Sequence, residues 1–288
     1  MGKSQLGVMI EPHRILFVQI EKELNQYFLR FQEELPVEYD IYTEILEGGQ
    51  PKRIAELTTK LTELFGRFEE KKIAVCLPMS GVRSVVAHLD LGLEPEEQAA
   101  ELDLSATSFI SDAEDYLLQP SKLETKEGDP FERHFLSLMP KRHLNRLRML
   151  MLPTRKELNL VDLSHFGYQN LYERQFDRRG ILELEQDYIV LSVLNYGLIE
   201  SMVHIPITDG DDASYFALSE LKAIHELRLL HLCGSRATDD AKTFIASACG
   251  IRTEMARYPA NTILKRPTGN DAKFLAVFGC TAKALNYF

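Results

Sequence analysis

The sequence predicts an α/β protein in two lobes with mixed sheets, on three observations. Apolar, β-rich runs alternate with helix-periodic segments along the chain. At 288 residues the chain is long for one compact core. Each half opens on an antiparallel pattern, a meander in the first and a hairpin in the second, before βαβ alternation takes over. The lobe boundary falls near Gly180. Residues 1–180 then form a first lobe with a small subdomain inserted over about 73–135, and residues 181–288 form a reduced second lobe.

The elements follow in order. RILFVQIE (14–21), NQYFLRFQEE (25–34) and EYDIYTEILE (38–47) are rich in β-branched and aromatic residues and read as three strands with short links. PKRIAELTTKLTELFGRFEE (51–70) starts on a proline and places Ile54, Leu57, Leu61, Leu64 and Phe65 at helical spacing. KKIAVCLPMS (71–80) reads as a buried strand parallel to the first, and VRSVVAHLDL (82–91) as a further strand. EPEEQAAELDLSATSF (94–109) is a helix with acids in its first turn, where the dipole favours them. The stretch 112–124 is acidic and then extended, PFERHFLSLMP (130–140) is a strand, and KRHLNRLRMLMLP (141–153) is a helix with a basic outer face that could dock an acidic partner. A strand and helix follow over 157–176, then the hairpin 187–207. The helix at 208–224, strand 227–234, helix 235–250 ending on Gly250, extended piece 251–259 and closing helix 270–288 complete the chain. No internal repeat is visible in the sequence.

Composition narrows the function classes. The net charge of −10 argues against nucleic acid or an anionic membrane surface as the main partner, since phosphate recognition needs clustered Lys and Arg. No apolar run reaches the length of a membrane-spanning helix, and the start of the chain lacks a signal-peptide pattern. Cys76, Cys233, Cys249 and Cys280 form no CxxC pair and read as reduced thiols. The eight histidines show no i, i+3 or i, i+4 pairing of the kind metal sites use. Ser80-Gly81 lacks the GxSxG context of a hydrolase nucleophile. Thr208-Asp209-Gly210-Asp211-Asp212 begins like a calcium loop without its closing glutamate and reads as a solvated turn.

The order of elements resembles the actin-like (ribonuclease H-like) ATPase fold, and within it the PilM pilus-assembly proteins and the cytoplasmic domain of the secretion protein GspL. The resemblance is carried by IAVCLPMSGVRSVVAHLDL (73–91), ELDLSATSFISDAEDYLLQ (101–119), the segment 135–173 with Val161-Asp162 closing its strand, the strand–glycine loop–helix–strand of 229–259, and AVFGCTAKAL (276–285). It implies a nucleotide cleft whose residues here are Gln19 and Glu21 at the first phosphate loop, Asn195 and Gly197 at the second hairpin, and Gly234 and Ser235 at the adenosine loop.

That implied site departs from the family's pattern. Gln19-Ile20-Glu21-Lys22-Glu23 places acids where a triphosphate would sit. Ser192, Val193 and Leu194 stand where the second hairpin should carry an acid and a glycine, and Gly234 alone remains of the adenosine-loop glycines. Residues 206–226 are too few for the subdomain that active members insert. The expectation is therefore a non-catalytic, cytoplasmic scaffold without cofactor. It docks a membrane-anchored pilus or secretion component, peripheral to the inner membrane through that partner. Aromatic residues of the N-terminal meander (Phe17, Tyr27, Phe28, Phe31, Tyr39, Tyr42) could offer an edge or groove for a peptide. The competing expectation is a divergent ATPase that binds ATP and magnesium in the interlobe cleft, with Asp162 holding the metal through water. A third is a small-molecule-binding module that uses the same cleft.

Overall fold

The computed structural model describes residues 2–79, 82–123, 128–172, 177–208, 213–224, 226–264 and 272–287. The chain forms two compact units that interleave along the sequence. One comprises Met1–Pro78, Arg142–Leu171 and Arg257–Phe288, and the other Met79–Lys141 and Tyr172–Ala256. The boundary near Gly180 describes chain order, whereas the units are assembled from non-adjacent segments.

The first unit is built on a six-stranded sheet in the order β14-β3-β2-β1-β4-β8. Its meander is β1 (Lys3–Glu11), β2 (Arg14–Glu23) and β3 (Gln26–Pro36), each antiparallel to the next. The meander thus begins one strand earlier than the sequence reading placed it. Residues 38–47 are not its third strand. Ile41–Thr43 (α1) is capped by Asp40, whose carboxylate accepts from Thr43 N at 3.0 Å, and continues as a π-turn over Glu44–Gly48. The buried residues there are Ile41, Tyr42, Ile45 and Leu46, a helical spacing that overrides the β propensity of the individual residues. β4 (Lys72–Leu77) lies parallel to β1, and β8 (Glu157–Leu163) parallel to β4. β14 (Thr262–Leu264) pairs in parallel with β3 and closes that edge.

Helices cover this sheet. α2 (Pro51–Phe65) buries Leu57, Leu61, Leu64 and Phe65, and α4 (Lys141–Met151) buries His143, Leu147, Leu150 and Met151. α5 (Ser164–Leu171) and α8 (Leu275–Tyr287) cross each other at two glycines. A Cβ added to Gly279 would lie 2.0 Å from the Gly167 carbonyl oxygen, and one on Gly167 would lie 2.3 Å from that of Ala276. α8 also rests on β1, where a Cβ on Gly7 would sit 1.7 Å from Thr281 Oγ1.

The second unit contains two sheets. The smaller is β5-β7-β6 (Arg83–Asp90, Phe131–Pro140, Tyr116–Lys122), packed on α3 (Pro95–Phe109) through Ala87, Leu89, Leu102, Ala106, Leu136 and Leu138. The strand at 72–77, expected to open this subdomain, belongs to the large sheet of the first unit. The other sheet runs β11-β10-β9-β12-β13 (Leu198–Pro206, Tyr188–Asn195, Arg179–Leu184, Leu229–Cys233, Arg252–Met255). β9, β10 and β11 are antiparallel, and β12 and β13 continue in parallel from β9. The hairpin expected from the sequence is therefore part of a second three-stranded meander. β9 escaped notice because its RGILEL carries Glu183 amid apolar residues and runs into Glu185, and both glutamates are buried. α6 (Ala213–Ala223) and α7 (Asp239–Cys249) complete the layer, the latter capped by Thr238 and ended by Gly250 at φ 68°.

Both large sheets share one plan, an antiparallel meander whose first strand is extended by two parallel strands. The shared plan is structural, and no repeat is visible in the sequence. Among the described residues, no helix is long and apolar enough to cross a membrane.

Two expected outcomes follow from this packing. Gly279→Val drives a branched side chain into the α5 backbone and should cost about 3 kcal/mol or more, read from the urea midpoint. His231 on β12 is stacked on Tyr172 at 4.3 Å and lies near Arg179, with Glu254 and Asp177 nearby. Burial, reinforced by the Arg179 charge, pulls its pKa down from 6.5 to about 4. The unfolded histidine takes up a proton below about pH 6.5 that the folded one refuses until about pH 4. Stability should thus fall by up to about 3 kcal/mol between those values and level off below them. Denaturation at pH 7.5 and 4.5 checks this, with His231→Gln lacking that component.

Candidate functional site

In the first unit, Gln19 and Glu21 do not form a loop. They lie mid-strand in β2, each tied to another part of the chain. Gln19 Nε2 donates to Glu70 Oε1 at 2.5 Å, and Ser4 Oγ donates to the same oxygen at 2.5 Å. Burial pushes the Glu70 carboxyl up, but the donors from Ser4, Gln19 and its own backbone, with the Lys156 charge, outweigh it and hold the group below its usual range. Glu21 pairs with Arg30 Nε at 2.6 Å across the β2–β3 ladder.

The tight turn of the first hairpin is instead Glu11-Pro12-His13-Arg14, which the sequence reading missed because it missed β1. The apolar run LGVMI before Glu11 was the available signal. The polar groups of this turn are committed within the chain. Pro12 has no N–H, the carbonyls of Pro12 and His13 accept from the amides of Ile41 and Val37 at 2.7 and 2.8 Å, and the buried Glu11 pairs with Arg14.

Asp162, the candidate to hold a metal, is the penultimate residue of β8. Its Oδ2 accepts from Lys283 Nζ at 2.5 Å and its Oδ1 from the Leu163 amide at 3.0 Å. Lys283 also lies 5.7 Å from the centre of the Phe166 ring. The cation at this carboxylate is supplied by α8.

In the second unit, the β10–β11 hairpin turns at Tyr196-Gly197, with φ of 48° and 77°. Two successive positive φ values match the right-handed twist of the strands, which explains the glycine without any ligand. Ser192, Val193 and Leu194 are fully buried in β10, and Val193 packs in the core among Leu182, Leu191 and Ile245. Asn195 is the last residue of that strand.

Gly234 follows β12 at φ 95°, and a Cβ there would lie 2.3 Å from Leu184 O. Both facts demand glycine. The adjacent loop is already occupied by the chain itself. Ser235 N and Oγ donate to Glu185 Oε1 and Oε2 at 2.8 and 2.5 Å, and Arg236 N donates to Leu184 O at 3.0 Å. Glu185 takes the donors that a nucleotide loop would turn to its ligand. The sequence reading did not single it out, although two acids in LELE on an apolar run were a signal.

Among the described residues, no group of three or more His, Cys, Asp or Glu is placed to hold a metal ion. Ser80-Gly81, Asp209–Asp212 and His225 lie outside the described residues. Several aromatic residues of the meander meet neighbours within the first unit. Phe31 meets Phe68 at 5.0 Å, Tyr27 meets Phe278 at 5.9 Å, Arg53 covers Tyr39 at 4.7 Å, and β14 occupies the β3 edge.

The Asp162–Lys283 pair gives a direct check. Lys283→Met leaves a mostly buried carboxylate without its cation and should cost about 1–3 kcal/mol in urea denaturation, the lower end reflecting partial solvent access. Adding Asp162→Asn should recover most of that loss, which a double-mutant cycle would read.

No protein-family model matches this chain, and no curated protein matches it in sequence. Solved structures do match. The chain is similar to a chain of the PilM-PilN type IV pilus biogenesis complex, with a TM-score of 0.78 at 12% identity over 98% of both chains. It is similar to the cytoplasmic domain of EpsL, an inner-membrane component of the type II secretion system of Vibrio cholerae, with a TM-score of 0.56 at 9% identity over 99% of this chain and 96% of that one. It is also similar to a Bacteroides thetaiotaomicron protein with an actin-like ATPase fold and unknown function, with a TM-score of 0.52 at 13% identity over 95% of both. At these identities the likeness establishes architecture. The chain has the two-lobed actin-like ATPase fold, in the form that resembles PilM and the GspL/EpsL cytoplasmic domain.

Proposed function

We propose that this chain is a non-catalytic, cytoplasmic scaffold of a bacterial pilus or secretion-type assembly, which docks a membrane-anchored partner and does not turn over ATP. The carrying observation is the match to a chain of the PilM-PilN complex, at a TM-score of 0.78 over 98% of each chain. Fold alone does not assign function, so the candidate site has to speak as well. Its acids are neutralised or capped from within the chain: Glu11 by Arg14, Glu21 by Arg30, Asp162 by Lys283, and Glu185 by the Ser235 donors. Phosphoryl transfer needs a metal-holding acid and free backbone donors, and these pairings support a site without either. Docking would then draw its free energy from buried interface area.

Calorimetric titration with ATP and ADP, each with magnesium, tests the absence of nucleotide. Nucleotide at 100 times its Kd would stabilise the fold by about 2.7 kcal/mol, so a parallel thermal melt reports even enthalpically silent binding. We expect neither heat nor a shift in Tm, and saturable micromolar binding would overturn the non-nucleotide reading. In-cell cross-linking tests the partner, with a membrane protein bearing a cytoplasmic tail expected as the main adduct. Recovery of soluble partners alone would refute the docking role.

A further inference from the structure

We propose that the exposed face of α4 docks on the exposed face of α3 of a second copy of this chain. The inference stands apart from the proposed function and from any nucleotide.

α4 is held firmly from below. Besides its apolar face, Glu47 on the π-turn receives Arg142 Nη2 at 2.7 Å and His143 Nε2 at 2.8 Å. Arg142 nonetheless keeps 63% of its side chain exposed. Arg146 lies over Gly48, where a Cβ would be 2.1 Å from its Nη1, and it has no carboxylate partner among the described residues. Met149 is 68% exposed, and Leu152, just past the helix, is 74% exposed. Arg142, Arg146 and Met149 stand at i, i+4 and i+7, which puts two cations and a large apolar side chain in one line.

α3 carries the opposite pattern. It buries Leu102 and Ala106 and exposes Glu97, Glu101 and Leu104, the last at 59%. These too stand at i, i+4 and i+7. Each stripe spans about 10.5 Å. Laid parallel, Glu97 meets Arg142, Glu101 meets Arg146, and Leu104 meets Met149, with Leu152 widening the apolar contact. One Glu97 oxygen already accepts the Glu94 amide at 3.0 Å in the helix cap, which fixes the carboxylate in place.

A lone exposed leucine needs no explanation. Two stripes of matching spacing and opposite sign on one chain are a different observation. The net charge of −10 sets the chain against nucleic acid and anionic lipid, whereas α3 supplies an acidic and apolar counterpart to α4 beyond the single Glu47 that Arg142 and His143 share. Because the two faces differ, the contact is heterologous, and a dimer leaves one face of each kind open.

Sedimentation velocity on the full chain, from micromolar to near-millimolar, tests this with two surface variants. Met149→Glu spoils only the α4 face and Leu104→Glu only the α3 face, and the two altered faces, both acidic, repel each other. Both positions are exposed, and circular dichroism and thermal melts check that the fold is kept. We expect the wild-type sedimentation coefficient to rise with concentration, and each variant alone to associate at least tenfold more weakly. An equimolar mixture should form a one-to-one dimer that does not grow, since the intact α3 face of one variant meets the intact α4 face of the other. A wild type monomeric throughout, variants that associate like wild type, or a mixture that stays monomeric would each overturn the proposal.

Discussion

The first unit depends on the close approach of α8 to α5 and to β1. Three positions permit it, Gly7, Gly167 and Gly279, and at each a Cβ would overlap a neighbouring atom. α8 is buried along nearly its whole length, from Leu275 through Ala282, with Ala284 and Leu285 beyond. Its burial covers the central strands of the sheet, and it also delivers Lys283 to Asp162 near the end of β8. A side chain at any of the three glycines would lift the helix, expose apolar surface on both sides and separate that ion pair.

The candidate site is dominated by internal satisfaction of charge. A buried carboxylate is costly unless donors or a cation meet it, and Glu11, Asp162 and Glu185 are each met from within the chain. Glu185 is the clearest case. It reaches the loop at Gly234 and captures both the amide and hydroxyl of Ser235. The loop keeps the backbone geometry that glycine allows while its donors are committed inward. At this loop the amide and hydroxyl of Ser235 are turned toward the protein.

Much of the fold was legible in the sequence because helix signals were local. Pro51, the acids after Pro95 and the terminal Gly250 marked their helices correctly. The strands that escaped were those whose environment contradicts a local pattern. β1 is buried on both faces and includes Gly7, and β9 leads into Glu185 with Glu183 inside it, so neither reads as alternating or uniformly apolar. Ile41-Tyr42-Thr43 erred the other way, since β-favouring residues were drawn into a helical turn by burial of Ile45 and Leu46. Missing β1 displaced the first phosphate-loop assignment to Gln19 and Glu21. The ion pairs that decide the site join residues more than a hundred positions apart in one case, Asp162 with Lys283, and no sequence window contains them.

The discontinuous first unit sets an order of assembly during synthesis. Its sheet requires β14 and its core requires α8, both within the last 32 residues, Arg257–Phe288. Everything that the second unit needs, Met79–Lys141 and Tyr172–Ala256, is translated before α8 is. The lobe that begins at the N-terminus is thus completed last, and its nascent β1–β4 sheet must wait with its helix-facing surface uncovered while more than a hundred intervening residues are translated.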